Sequence, residues 1–285
     1  MIRIILILFL SFPVALCAQT YQQLSEKAIE YIEMDSLSKA EELLLQALKL
    51  EPKNAKNAML FSNLGLVQRR LGEYDKALES YSFALNFAPL AVPILLDRAA
   101  INLEMGNTDR AYTDYCQVLD EDKQNKEALL MRAYIYVLRR DYPAARIDYN
   151  RLLEIDPQSY SGRLGLATLE QKEGKFKEAL EILNKMITAT PEDATLYIAR
   201  ADVEREMKHE DLALVDLEEA IRLNPSSADA YLLRGNIYLT QKKKALAKMD
   251  FEKAISLGIP PADLHEQLKP VSSTHLRAHE TAANL

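Results

Sequence analysis

Apolar positions along this chain recur at helical spacing, and the recurrence is itself repeated. At residues 71–89, LGEYDKALESYSFALNFAP runs from a polar turn into an amphipathic helical stretch and stops at a proline. At residues 173–191, EGKFKEALEILNKMITATP carries Gly, an aromatic residue, Ala-Leu-Glu and Pro at the same offsets, 102 residues downstream. That offset is three times 34, and periods of about 20–50 residues mark stacked supersecondary units. A 34-residue frame starting at Tyr21, Ala58, Val92, Lys126, Tyr160, Ala194 and Ala228 superimposes seven copies, with one three-residue insertion near Asn54 to Asn57.

Two columns of this internal alignment are always small. Position 20 is Ala40, Ala77, Ala111, Ala145, Ala179, Ala213 and Ala247, and position 8 is Ala28, Gly65, Ala99, Ala133, Ala167, Ala201 and Gly235. One small site on each of two helices lets their axes approach closely. Position 24 supplies bulk between them, as Leu44, Tyr81, Tyr115, Tyr149, Leu183, Leu217 and Phe251. Pro52, Pro89, Pro157, Pro191 and Pro225 fall at position 32, where a fixed φ and a missing N–H discourage helix continuation. The pattern therefore predicts a pair of helices per copy.

This column set resembles the tetratricopeptide repeat, a helix–turn–helix unit with small residues at positions 8, 20 and 27, an aromatic near 24 and Pro at 32. The match spans residues 21–261. It departs at position 4, which holds no Trp, at Lys123 in place of Pro, at Ile259 with Pro260 following, and at Val118, Leu152 and Met186 in position 27. The resemblance implies an all-α, right-handed superhelical solenoid of about seven helix-turn-helix units. Residues 261–269, PADLHEQLKP without its last residue, read as a short C-terminal capping helix, which makes residues 19–269 one solenoid domain. Residues 270–285 match no repeat position and read as a disordered tail.

Composition agrees with helices joined by short turns: eight Gly and eleven Pro in 285 residues are few for a β-rich fold. The formal charge of −7, with no basic stripe, argues against nucleic acid as a partner. Residues 1–18, MIRIILILFLSFPVALCA, have an early Arg, an apolar run and small residues near Ala15, Cys17 and Ala18, the pattern of a secretory signal peptide. The run is short for a membrane span of about 20 residues, so no stable span is expected after cleavage. The expected location is exported, periplasmic or secreted, with a lipid anchor on Cys17 as the alternative. Cleavage leaves Cys116 as the only cysteine, so packing rather than a disulfide holds the chain together.

No Gly-rich phosphate loop, Ser elbow or CxxC pair occurs, and the i, i+4 pair His275 and His279 lacks both the Glu of the zinc-protease motif and an evident third ligand. No catalytic residue, cofactor or metal is expected. His209 falls in a turn and His265 in the cap. The columns do single out one polar pairing. Position 7 is Arg98, Arg132, Arg200 and Arg234, and those same copies hold Asp114, Asp148, Asp216 and Asp250 at position 23; the other copies have neither. Residues that come and go together in one copy predict a bidentate ion pair bridging its two helices. The alternative is a set of arginines gripping an acidic ligand.

The family resemblance implies that the face of each first helix opposite positions 4, 7, 8 and 11 lines a concave groove. In the sixth copy this row is Thr195, Ile198, Ala199, Asp202, Arg205 and Glu206, an ordinary wet surface. In the fourth it is Glu127, Leu130, Met131, Tyr134, Val137 and Leu138, with Leu96, Ala100 and Leu103 in the third. Leu96, Leu103, Leu130, Met131, Tyr134, Val137 and Leu138 are thus the candidate partner-binding residues, the alternative being burial against neighbouring helices. Some members of the family clamp the C-terminal carboxylate of chaperones with Lys, Asn and Arg; the corresponding positions here hold Ser25, Ile29, Asn63, Pro93 and Asp97, and Asp97 would repel a carboxylate. The function expected is a non-catalytic scaffold for a protein or peptide partner. A docking or regulatory subunit of an envelope enzyme complex and an envelope-associated structural lipoprotein are its rivals.

Overall fold

The structure, a computed structural model, describes residues 20–272. The signal-peptide reading of residues 1–18 and most of the proposed tail lie outside the described residues. The chain divides into two compact units, up to Ala128 and from Leu129 on. The first holds α1 (Tyr21–Glu33), α2 (Leu37–Leu50), α3 (Asn57–Arg70), α4 (Tyr74–Phe87), α5 (Val92–Glu104), α6 (Thr108–Glu121) and the opening residues of α7 (Lys126–Leu138). The second holds the rest of α7, then α8 (Tyr142–Ile155), α9 (Tyr160–Lys172), α10 (Phe176–Ala189), α11 (Ala194–Glu206), α12 (Glu210–Leu223), α13 (Ala228–Thr240) and α14 (Lys244–Ser256). A 3-10 turn, Pro261–Leu264, leads into α15 (His265–Ser272). Among the described residues there is no strand.

The architecture is an all-α solenoid of helix pairs. In the first unit each helix packs on the one before it, from α1 through α6; in the second the same holds from α8 through α15. First helices also touch the next first helix, α1 to α3, α3 to α5 and α11 to α13. Position 20 is fully buried in all seven pairs, and where position 8 is glycine the position-24 ring lies against it, Tyr81 on Gly65 and Phe251 on Gly235. The Tyr81 ring shows why that site stays small, because a Cβ on Gly65 would stand 2.9 Å from it.

One backbone device closes every pair. The residue at position 15 has positive φ in all seven copies: Asp35, Gly72, Gly106, Arg140, Gly174, Lys208 and Lys242. The next residue's N–H then reaches back to the carbonyl at position 11, as in Glu73 to Gln68 at 2.8 Å and His209 to Glu204 at 2.9 Å. These are the six-to-one closures of a helix C-terminus, and they satisfy carbonyls that would otherwise face water. Sequence reading registered the glycines alone.

The insertion near Asn54 is absorbed before α3, which starts one residue earlier than its frame. Asn57 is fully buried there, accepting from the Tyr21 hydroxyl at 3.0 Å and donating through Nδ2 to the Glu51 carbonyl at 2.8 Å. Both halves of its amide are satisfied, so a longer turn is fixed without a buried orphan. At the other end, Leu264 is buried against Ala247 and Phe251, with Leu268 beside them. The cap is a 3-10 turn plus a helix, and α15 runs to Ser272, three residues into the stretch read from sequence as tail.

Candidate interaction surface

Two kinds of polar side chain occupy the helix faces: those that hold the pairs together and those that face outward from the first helices. The first kind includes the four arginines at position 7. Nε and Nη2 of Arg98 donate to the two carboxylate oxygens of Asp114 at 2.9 and 2.7 Å, and Arg132 meets Asp148 in the same way at 2.8 and 2.9 Å. Arg200 and Asp216 pair at 2.8 and 2.6 Å, Arg234 and Asp250 at 2.8 Å twice. The four aspartates are buried. The second helix of the preceding pair contributes a further acceptor, Ser82 to Nη1 of Arg98 at 3.2 Å and Asn184 to Nη1 of Arg200 at 2.7 Å, so these two arginines tie their pairs to the pair before. Hydrogen bonding to Asp216 and Asp250 holds the Arg200 and Arg234 guanidinium groups above their ordinary pKa. With both fork nitrogens committed to aspartate, the geometry offers no open arginine fork to an acidic ligand.

Two of the three copies that lack this pair carry a different link, which the column comparison missed. In the second copy Gln68, buried, donates to Glu41 of the preceding pair at 3.0 Å and accepts from Ser80 at 2.7 Å. In the fifth, buried Glu170 receives both Nη1 and Nη2 of Arg146 from the preceding pair at 2.5 and 2.9 Å, and Arg146 also meets Glu173. Both links join position 11 of one copy to position 21 of the copy before. Matching columns between successive frames, rather than within one frame, would have found them.

Outward-facing rows lie on the first helices. In the second unit a groove of about 420 Å³ is lined by Leu164, Thr168, Gln171 and Lys172 of α9, Thr195, Ile198, Ala199 and Asp202 of α11, and Asp229, Leu232, Leu233 and Asn236 of α13. Gln171 donates to Asp202 at 2.8 Å and to Glu206 at 3.1 Å, and Arg205 donates to Asp202 at 2.6 Å. The sixth-copy row is therefore more than an ordinary wet surface. Its apolar walls come from α9 and α13, which a reading of one copy alone leaves out.

The predicted partner-binding residues divide by role. On α7, Tyr134 is 45% and Leu138 52% exposed, Met131 is half-buried, and Leu130 and Val137 pack against the core formed by Ala133, Ala145, Tyr149 and Leu169. Leu130 and Val137 are thus partly wall and partly core, because they pack on a cluster that draws side chains from α7, α8 and α9. On α5 in the first unit, Leu96 and Leu103 are half-buried, with Ala100 half-buried between them. Asp97, on the same row, is half-buried, and burial raises its carboxyl above the usual carboxylate pKa, with Arg69 opposing and Glu127 adding to the rise.

Among the described residues no cluster of three His, Cys, Asp or Glu is placed to hold a metal, and no helix is long and apolar enough to cross a membrane. His209 in the turn before α12 meets Glu204 at 2.7 Å, and Cys116 is half-buried on α6. His265 opens α15, while His275 and His279 lie outside the described residues.

A stack of helix pairs, each presenting one face of its first helix as a wall, defines a repeat protein of the interaction-scaffold type. The sequence matches the tetratricopeptide repeat family over residues 26–91, 96–160, 139–203 and 228–257. A solved tetratricopeptide repeat protein from Parabacteroides merdae is 36% identical, with a TM-score of 0.82 over 90% of this chain and all of that one. The chain belongs to the tetratricopeptide repeat family. More distant solved structures share the fold: YrrB, described as a TPR protein with an unusual peptide-binding site (18% identity, TM-score 0.53, 70% of this chain and 97% of that one), and Pseudomonas aeruginosa pilF (16%, 0.58, 74% and 94%). Comparison with curated proteins finds no match.

Proposed function

We propose that the protein acts outside the cytoplasm as a non-catalytic scaffold, receiving a protein or peptide partner along the outward rows of its first helices. The observation that carries this reading is on α7. Tyr134 and Leu138 stand one helical turn apart and stay about half exposed, although the same helix buries Leu129, Ala133 and Ile135 completely. A helix that is apolar on its covered and uncovered faces alike exposes a patch of the kind that marks interaction sites. The acidic balance of −7 disfavours nucleic acid as the occupant. YrrB, similar in fold, is described as binding peptide, which is consistent with such a use of the fold. Location outside the cytoplasm rests on residues 1–18 alone.

The test replaces Tyr134→Asp together with Leu138→Asp and compares proteins captured by wild type and variant from envelope extracts. Both side chains already meet water, so helicity and melting temperature are expected to hold while the captured partner is lost. A variant that melts much earlier shows these side chains to be core; one that folds and captures as before places the partner elsewhere.

A further inference from the structure

The first unit holds a second feature on its outward row, and it rests on the reading that these rows receive a polypeptide. Asp97 projects from α5 among Pro93, Leu96 and Ala100, with Leu66 of α3 exposed on the corresponding row of the preceding pair. Its carboxylate has no hydrogen-bond or ion-pair partner among the described residues. Arg69, whose charge opposes the rise in the Asp97 carboxyl pKa, is itself in contact with Glu104. Glu127 adds to the rise in the Asp97 carboxyl pKa, so the charge acting on that group is not neutralised by Arg69.

The same unit holds a second unmet group. Tyr81 is fully buried, its ring passes against Gly65 of α3, and its hydroxyl has no hydrogen-bond partner. Burial raises the pKa of that hydroxyl, and the charge of Asp97 adds to the rise. A carboxylate drawn partly out of water is costly when unpaired, and structures that keep one commonly give it a cation. Elsewhere this protein does so: the buried aspartates 114, 148, 216 and 250 each have an arginine. Asp97 does not.

We infer that Asp97 is an anchor for a lysine or arginine side chain carried by an otherwise apolar segment of a partner polypeptide. The basic group meets the carboxylate, and its aliphatic stem lies along Leu66, Leu96 and Ala100, as long basic side chains do on apolar surface. The site is the charge inverse of a carboxylate clamp. A partner with an acidic group at that point would meet the Asp97 carboxylate and is rejected, so the row selects by sign of charge as well as by apolar contact.

The experiment uses the purified full chain and three pools of dye-labelled nonapeptides with both ends capped, their flanks randomised over Ala, Leu, Val and Ser. The central residue is Lys, norleucine or Glu, and binding is followed by fluorescence anisotropy. Wild type is expected to bind the Lys pool about tenfold or more tightly than the norleucine pool, the scale of one charge-assisted hydrogen bond, with the Glu pool weakest. Asp97→Asn, nearly isosteric, brings the Lys pool within about twofold of the norleucine pool, and Asp97→Lys puts the Glu pool ahead. Circular dichroism on each variant establishes that it is folded, with Asp97→Ala as a second neutral variant. Equal binding of the Lys and norleucine pools by wild type overturns the anchor while leaving the groove reading in place. So does a Lys preference that survives Asp97→Asn. Absence of binding by all three pools overturns both for this unit.

Discussion

Copies four and five of the repeat set up a swap within one chain. Arg132 and Asp148 occupy positions that hold Leu166 and Ile182 in the next copy, so the protein already contains an apolar solution to the same packing problem. Asp148 is 2% exposed, whereas the Arg132 side chain retains 22%. Arg132→Leu leaves a buried carboxylate without its fork and is expected to cost about 3–5 kcal/mol. Asp148→Ile leaves an arginine that can turn its head toward water, at a cost of about 1–2 kcal/mol. The double variant restores the arrangement of the fifth copy and is expected to fall within about 1 kcal/mol of wild type, on either side. The resulting coupling is about 3 kcal/mol or more, well above the scatter of additivity. Because repeat arrays need not unfold in one step, the assay is hydrogen exchange of the α8 amides at native conditions, supported by urea unfolding. Additive single-variant costs, or an Arg132→Leu cost below 1 kcal/mol, would refute the view that the pair's main role is to neutralise a buried aspartate.

Three further outcomes are expected. At position 15, Arg140→Gly and Lys208→Gly should each stabilise by about 0.5–1 kcal/mol by relieving positive φ, while Gly174→Ala, which meets no atom within 4 Å, should cost a similar amount; urea midpoints check both. Ala145→Phe overfills a fully buried site and should abolish hydrogen-exchange protection in the pairs around α8 before the ends of the solenoid; uniform loss along the chain would contradict nearest-neighbour stability. Burial raises the Asp97 carboxyl pKa above its unfolded value, so the penalty is present at neutral pH and disappears as pH falls below the ordinary value of 3.8. Asp97→Asn should therefore raise the melting temperature at pH 7 and leave it unchanged near pH 3; equal gains at both would show that charge is not the cause.

Seven copies let the sequence act as its own alignment, and what it made legible follows from that. Helix pairing, the small sites at positions 8 and 20 and the bulk at 24 were readable because close helix approach imposes a size limit in every copy. The partnering of Arg98 with Asp114, and its three counterparts, was readable because two columns change together. Position 15 was only partly readable: glycine announces a left-handed residue, but Asp35, Arg140, Lys208 and Lys242 adopt it as well, held by the six-to-one closure rather than by their own preference. The groove beside α11 was missed because its apolar walls belong to α9 and α13, and a surface built from three helices has no signature in any one of them.

The links at Gln68 and Glu170 show what the two polar schemes have in common. Copies with Arg at position 7 bind the second helix of their own pair, and Arg98 and Arg200 also reach the pair before. Copies with Leu at that position lose this tie, and in the second and fifth the residue at position 11 reaches back to position 21 of the preceding copy instead. A solenoid is stabilised by each pair and by each junction between pairs, so a copy that gives up a polar junction at one height must supply contact at another or become the point where the stack opens. Position 11 can take that role because it lies one turn beyond position 7 on the same covered face, where a buried donor or acceptor must find a partner and the preceding second helix is the nearest source. The alternation of the two schemes along the chain is thus a constraint on junctions, not on single copies. That is also why columns compared within one copy reveal the first scheme and hide the second.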